Sequence, residues 1–284
     1  MNIEHIAIPA LVSLIVSYLA YRLGFFRLPQ EGKPLNLLSF HYLLGAFLVF
    51  IGIQVFIVPL LELFWIYLKT GRREYVKLGM PSRGWVGIIG IGLDALGMLG
   101  YLQLLDPKNR RTIWNKTKKF NRLNGIKQFL FGAMTWFIAY PIVSTVGQTL
   151  SFILYLFFDI SPLEQTPVKA LKTTFNDPLV FGFMAAIIVF LVPIIEELMF
   201  RGLMQTYLNN YFRRVPAIVL TAFVFALFHY SPEQGATNIE FIVTLFVLSC
   251  FLGFIYERQA SLWAPIGLHV AFNGISVLAI LFFK

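Results

Sequence analysis

Residues 194–202 read IIEELMFRG and follow an uncharged run, LVFGFMAAIIVFLVPII, over residues 179–195. A stretch apolar enough to cross a bilayer therefore ends in two adjacent carboxylates and an arginine. A charge at the centre of a bilayer costs roughly 2.5–3.5 kcal/mol on insertion scales. The folded chain must offset that cost, and ionisable residues inside apolar helices mark the place to look for chemistry.

The rest of the chain has the same character. It is 58% hydrophobic and 13% charged, whereas soluble domains carry about 25% charged residues. Its mean hydropathy is +0.73. Repeated apolar stretches of about 20 residues predict an all-α, polytopic membrane helix bundle. A membrane barrel would need alternation of period two, which these runs lack. The segments fall near 5–26, 41–68, 85–105, 128–158, 178–205, 216–230, 239–256 and 262–283. About eight transmembrane helices are expected, or seven if 85–105, Gly-rich and containing Asp94, forms a re-entrant or interfacial hairpin. Pro59 and Pro141 can kink the two longest early segments. No internal repeat or low-complexity tract is evident. The amino terminus reads as an uncleaved first span, lacking a basic leader region or a small-residue cleavage site.

The net charge of +9 excludes little by itself. No nucleic-acid motif accompanies it, so nucleic acid is not an expected partner. Lys and Arg instead collect in cytoplasmic loops, where they fix orientation and meet anionic lipid. Residues 107–127 hold eight basic and no acidic residues and are expected in the cytoplasm. Alternation then places 206–215 inside and 231–238 outside. It also places the basic stretch 69–83 outside, a conflict that the re-entrant form of 85–105 would remove. Cys250 is the only cysteine, which precludes an internal disulfide or a Cys-rich metal site. A multi-pass protein of the cytoplasmic membrane, if the source is bacterial, is the expected setting.

Four polar groups sit within or at the ends of apolar helices in the last part of the chain. They are Glu196, Glu197 and Arg201; His229, closing TAFVFALFHY; His269 with Asn273, in PIGLHVAFNG; and the prolines Pro193 and Pro265. Glu197 and Arg201 are four residues apart and share a helix face, as do His269 and Asn273. Glu196 points about 100° away from Glu197 on a helix of 3.6 residues per turn. The division this predicts is a Glu197–Arg201 pair, with Glu196 turned toward the histidines. Each group also has a plain structural explanation: a lone buried histidine bonded to a neighbouring helix, or an interfacial salt bridge. The combination points to chemistry, since it gathers two of the four histidines and the only adjacent acids.

Peptide hydrolysis needs a base for water, an acid for the leaving amine and donors for the oxyanion. A glutamate can take a proton from water and pass it to the amine. One histidine can hold the water, while the second histidine and the asparagine amide can stabilise the oxyanion. A G-x-S-x-G elbow is absent, against a serine mechanism. Zinc held by Glu, His and His is chemically feasible, but the H-E-x-x-H arrangement is absent.

At these residues the sequence resembles a known family. EELMFR, FALFH and HVAFN (residues 196–201, 225–229 and 269–273) match in order the E-E-x-x-x-R, F-x-x-x-H and H-x-x-x-N motifs of the CAAX proteases and bacteriocin-processing enzymes, the Abi family of intramembrane glutamate proteases. The resemblance implies the helical fold of a type II CAAX prenyl endopeptidase over residues 178–284, with residues 1–177 as variable helices. It implies Glu196 as catalytic base with His229 on the water, His269 and Asn273 as the oxyanion pair, and Glu197 and Arg201 in support. It further implies a glutamate mechanism without a metal cofactor, acting on a membrane-associated protein or lipidated peptide. Two alternatives remain: a non-proteolytic scaffold or bacteriocin-immunity protein of the same fold, or a transporter relaying protons through buried Glu and His.

Overall fold

The computed structural model describes residues 4–29, 37–71, 75–79, 82–115, 122–161 and 163–282. Eight apolar helices follow the apolar runs: α1 (Glu4–Arg22), α2 (Phe40–Thr70), α3 (Ser82–Leu104), α5 (Arg122–Phe158), α7 (Pro178–Leu208), α8 (Arg214–Leu227), α9 (Asn238–Gln259) and α10 (Trp263–Phe282). Two short helices, α4 (Pro107–Trp114) and α6 (Thr166–Lys172), lie in connections. Six of the helices are long and apolar enough to cross a membrane; α1 and α8 are shorter apolar helices. The chain is an all-α, multi-pass membrane bundle. Helices answer the demand that every backbone polar group in hydrocarbon be paired within its own segment.

The packing defines two faces. At the first face, Leu262 N–H donates to Trp114 O (3.0 Å), Asn210 Nδ2 to Leu38 O (2.7 Å) and Arg258 Nε to Phe25 O (2.8 Å). These bonds gather the α1–α2, α3–α5, α7–α8 and α9–α10 connections. At the second face, the Thr166 and Ser231 hydroxyls lie 3.5 Å apart and Gly84 of α3 sits against Val180 of α7.

This arrangement overturns the hairpin alternative for 85–105. Residues 82–104 form one continuous helix, about 34 Å long at 1.5 Å per residue. Its two ends lie on opposite faces, so the basic stretches on either side of it are separated by the bundle. Lys116, Lys118 and Lys119 of the second stretch, and Arg72 and Arg73 of the first, fall outside the described residues. Residues 107–114 are helix α4, whose Asn109, Thr112 and Ile113 are buried in the bundle rather than looped away from it.

Residues from both parts of the chain share one core. Leu38, Ala46, Met98 and Ile113 pack with Leu198, Phe225, Tyr256 and Leu262. Helix α5 lies along α10 at very close range: a Cβ at Gly132 would strike the Ala264 carbonyl, and one at Gly267 the Phe129 carbonyl. Small residues permit such backbone approach between membrane helices.

Helices α2 and α7 carry an unexpected likeness. IQVFIVPLLE (53–62) and IIVFLVPIIE (187–196) agree at six of ten positions. Each contains a five-residue π-helical segment, Ile53–Ile57 or Ile187–Leu191, directly before a Val-Pro pair. The similarity spans only a few residues among common apolar types, so it does not stand out as a repeat in the sequence. The two helices cross in opposite directions.

Candidate active site

The π segment of α7 sets the local geometry. Within it hydrogen bonding runs from i to i+5, as when Val192 N–H donates to Ile187 O. The next residue in that register is Pro193, which has no N–H, leaving Ile188 O without its helical partner. Asn273 Nδ2 of α10 donates to Ile188 O at 2.9 Å. The proline thus creates the acceptor that fixes Asn273 and ties α10 to α7.

A turn later, Glu196 and Glu197 diverge as their 100° offset requires. Glu197 is wholly buried, and its Oε1 accepts from Arg201 Nη1 at 2.9 Å and from His269 Nδ1 at 2.8 Å. Arg201, equally buried, donates through Nη2 to Ser249 Oγ (2.5 Å) and Ser249 O (3.2 Å) on α9. Its guanidinium carbon lies 4.6 Å from the centre of the Phe225 ring. Glu196 faces the other way, with its side chain 21% exposed. Its Oε1 is 3.8 Å from His229 Nε2 and its Oε2 is 3.7 Å from His269 Nε2. Glu196 Oε2 has no hydrogen-bond partner among the described residues.

His229 stands two residues beyond α8, and its Nδ1 is 2.8 Å from Phe225 O. A carbonyl only accepts, so Nδ1 carries a proton; in the neutral ring Nε2 then presents its lone pair toward Glu196. The Phe225 ring packs against both imidazoles, with centroids 4.6 Å from His229 and 6.1 Å from His269. Separations of 3.7–3.8 Å are too long for direct hydrogen bonds and match groups bridged by a water. A water held ~2.8 Å from both Glu196 Oε1 and His229 Nε2 would meet them at about 85°, an attainable angle.

The structure therefore brings together Glu196, Glu197, Arg201, His229 and His269, while Asn273 stands one turn beyond His269 on α10 with its amide on Ile188 O. It adds three that helical spacing alone did not reveal. Ser249 holds Arg201, Phe225 acts through its ring and carbonyl, and Ile188 O holds Asn273. Ser249 lies in an apolar helix with no neighbouring charge to mark it, and the role of Ile188 follows only once the π register is known. Glu197 also does more than pair with Arg201: it fixes the ring of His269. Among the described residues, no three His, Cys, Asp or Glu side chains are arranged to hold a metal ion.

Residues 178–275 match the family model of the Rce1-like type II CAAX prenyl endopeptidases. This stretch is an Rce1-like domain. No curated protein and no solved structure matches the chain. The Rce1-like family is of CAAX-type intramembrane proteases, and the site residues from Glu196 to Asn273 all lie within the matched stretch. The domain also leans on the preceding helices: Gly202 of α7 packs against Ile113 of α4, and Gly125 of α5 against Trp263 of α10.

Proposed function

We propose that the protein is an intramembrane endopeptidase in which Glu196 activates water against a peptide bond of a membrane-associated substrate. The observation that carries this is the partnerless Oε2 of Glu196, on a carboxylate set between the Nε2 atoms of two histidines. A water between Glu196 and His229 gives one proton to the carboxylate while His229 Nε2 accepts its other hydrogen bond. The water oxygen bonds to the scissile carbonyl carbon, whose oxygen becomes the oxyanion. His269 Nε2 and the second N–H of Asn273 are the donors for that oxygen. For Nε2 to donate, the ring must hold protons on both nitrogens, and Glu196 and Glu197 flank it to balance the charge. As the tetrahedral intermediate collapses, the C–N bond breaks and Glu196 returns its proton to the leaving amine.

Each step uses side chains already present, so the mechanism runs without metal. Anionic lipid at the basic first face is the expected bilayer partner. The test compares wild type with Glu196→Gln by mapping peptide ends in the membrane fraction. Glutamine keeps the shape but cannot accept the proton, so activity falls by at least about 10²-fold, as on loss of a general base, while folding is retained. Near-wild-type turnover by purified Glu196→Gln would refute the mechanism.

A further inference from the structure

The site opens toward one half of the bilayer, and the charge pattern says which. On the first-face side of Glu196 the catalytic helices are sealed. From Glu197 to Leu203 α7 is buried throughout, as are Leu252, Ile255 and Tyr256 of α9 and Ala264 to His269 of α10. On the second-face side they open. Of α7 residues 178–195 only Val180, Pro193 and Ile195 are buried, and α9 residues 242–247 are all partly exposed.

Helix α8 accounts for the opening. Its 14 residues span about 21 Å, short of the ~30 Å hydrocarbon layer. It starts at the first face, where Arg214 donates to Pro29 O (2.6 Å), and so ends inside the bilayer. His229, 32% exposed along its side chain, and Tyr230, 60% exposed, stand at its end. The connection from 228 to 237 dips in from the second face, reversing through Gly235 at φ 50°.

The two faces differ in charge. Among the described residues at the first face, 22–29, 37–39, 105–115, 124–127, 209–214 and 257–262, there are nine Lys and Arg and two acids. Those at the second face, 69–71, 75–79, 82–83, 159–161, 163–177 and 228–240, hold five and five. Connections rich in Lys and Arg stay in the cytoplasm, which assigns the first face there and leaves the open side of the site facing away from the cytoplasm.

The geometry points to a substrate class. Granted that the protein is a protease, it cleaves polypeptide segments already exported and held in the non-cytoplasmic half of the membrane, not the cytosolic carboxyl terminus of a prenylated protein. A cytosolic tail would have to pass the sealed half of the bundle to reach Glu196.

The orientation is tested in a Cys250→Ser background with single cysteines at Lys108 and Glu233, one on each face, and at Tyr230 at the mouth. A membrane-impermeant thiol reagent should label Glu233→Cys and Tyr230→Cys in intact cells as fully as after lysis, and Lys108→Cys only after lysis. The reverse pattern overturns the proposal, as does a Tyr230→Cys that is labelled only from the cytoplasmic side. Peptide ends lost in Glu196→Gln cells should then map to non-cytoplasmic segments of membrane-held proteins. Loss confined to cytosolic carboxyl termini refutes the substrate class with the orientation intact. If no peptide end is lost while labelling is as expected, the protease assignment fails, and the substrate class with it, but the orientation stands.

Discussion

Replacing Arg201 by methionine should damage the fold before it damages the chemistry, and the size of the loss can be worked from the contacts. The guanidinium donates to Glu197 at 2.9 Å and to Ser249 at two points, and lies 4.6 Å from the centre of the Phe225 ring. Methionine fills the stem but supplies no donor. Glu197 would keep its bond to His269 Nδ1, which existed already and adds nothing new. Breaking one side of a buried ion pair costs about 3–5 kcal/mol. At ~1.4 kcal/mol per decade, the ratio of folded to unfolded protein falls about 10²- to 10³-fold or more. With about 2–4 °C per kcal/mol for a domain of this size, the thermal midpoint falls by roughly 6–20 °C.

Removing both charges is the control. In Glu197→Gln with Arg201→Met, the new amide oxygen can still accept from His269 Nδ1, and no lone charge remains. Most of the midpoint should return, and part of the activity with it. Glu196→Gln should rescue nothing in an Arg201→Met background, since Glu196 makes no bond to the arginine. The measurements are detergent-solubilised yield, midpoint and cleavage rate for the singles and both doubles. An Arg201→Met protein with wild-type stability and no activity would sink this account, because the arginine would then be acting on the reaction. A double as unstable as the single would instead place its contribution in Ser249 and Phe225.

Three further outcomes are expected. Asn273→Ala strands Ile188 O and, in the proposed mechanism, removes an oxyanion donor, so cleavage should fall and the protein lose about 1–3 kcal/mol, typical of an unsatisfied buried acceptor; unchanged stability in a thermal melt would show that the π segment does not need its cap. Dialysis against a strong chelator should leave the cleavage rate unchanged, whereas a loss that zinc alone restores would move the chemistry to a metal-bound water. Gly267→Ala places a methyl group against the Phe129 carbonyl and should reduce folded yield by separating α5 from α10, while Gly182→Ala, which meets nothing within 4 Å, should not.

The sequence made the membrane class and all eight apolar helices legible, because hydropathy over some twenty residues is a local property. It also revealed how Glu196 and Glu197 divide, since a 100° offset follows from the helix itself. What it withheld depends on registers between helices. The continuity of α3 through Asp94 was obscured because its glycines suggest a break. In the structure Gly84, Gly90 and Gly97 face neighbouring helices, with Gly90 against Val58 and Gly97 against Ile53, and Gln54 of α2 donates to Asp94. The grip of Glu197 on His269 was equally hidden, as the two residues lie 72 positions apart.

Two adjacent acids at the end of an apolar run become intelligible from the shape of one imidazole. Its two nitrogens point to opposite sides, and a ring that donates at Nε2, as the proposed mechanism has it, needs an acceptor at Nδ1 to fix its orientation. Successive positions on α7 supply one carboxylate to each side of His269, at 2.8 Å from Nδ1 and 3.7 Å from Nε2. A single acid could hold the ring or take the proton, but not both. The pair adds two negative charges to a buried site, and Arg201, one turn on, cancels the one committed to structure. The other is balanced while His269 carries its second proton; in the proposed mechanism, once Glu196 has taken the proton from water, the charge on His269 is balanced by the oxyanion instead. That balance offsets the desolvation of two carboxylates and an arginine inside an apolar helix. It also explains why the arginine belongs on the face of Glu197: beside Glu196 it would hold the carboxylate that the proposed mechanism needs free.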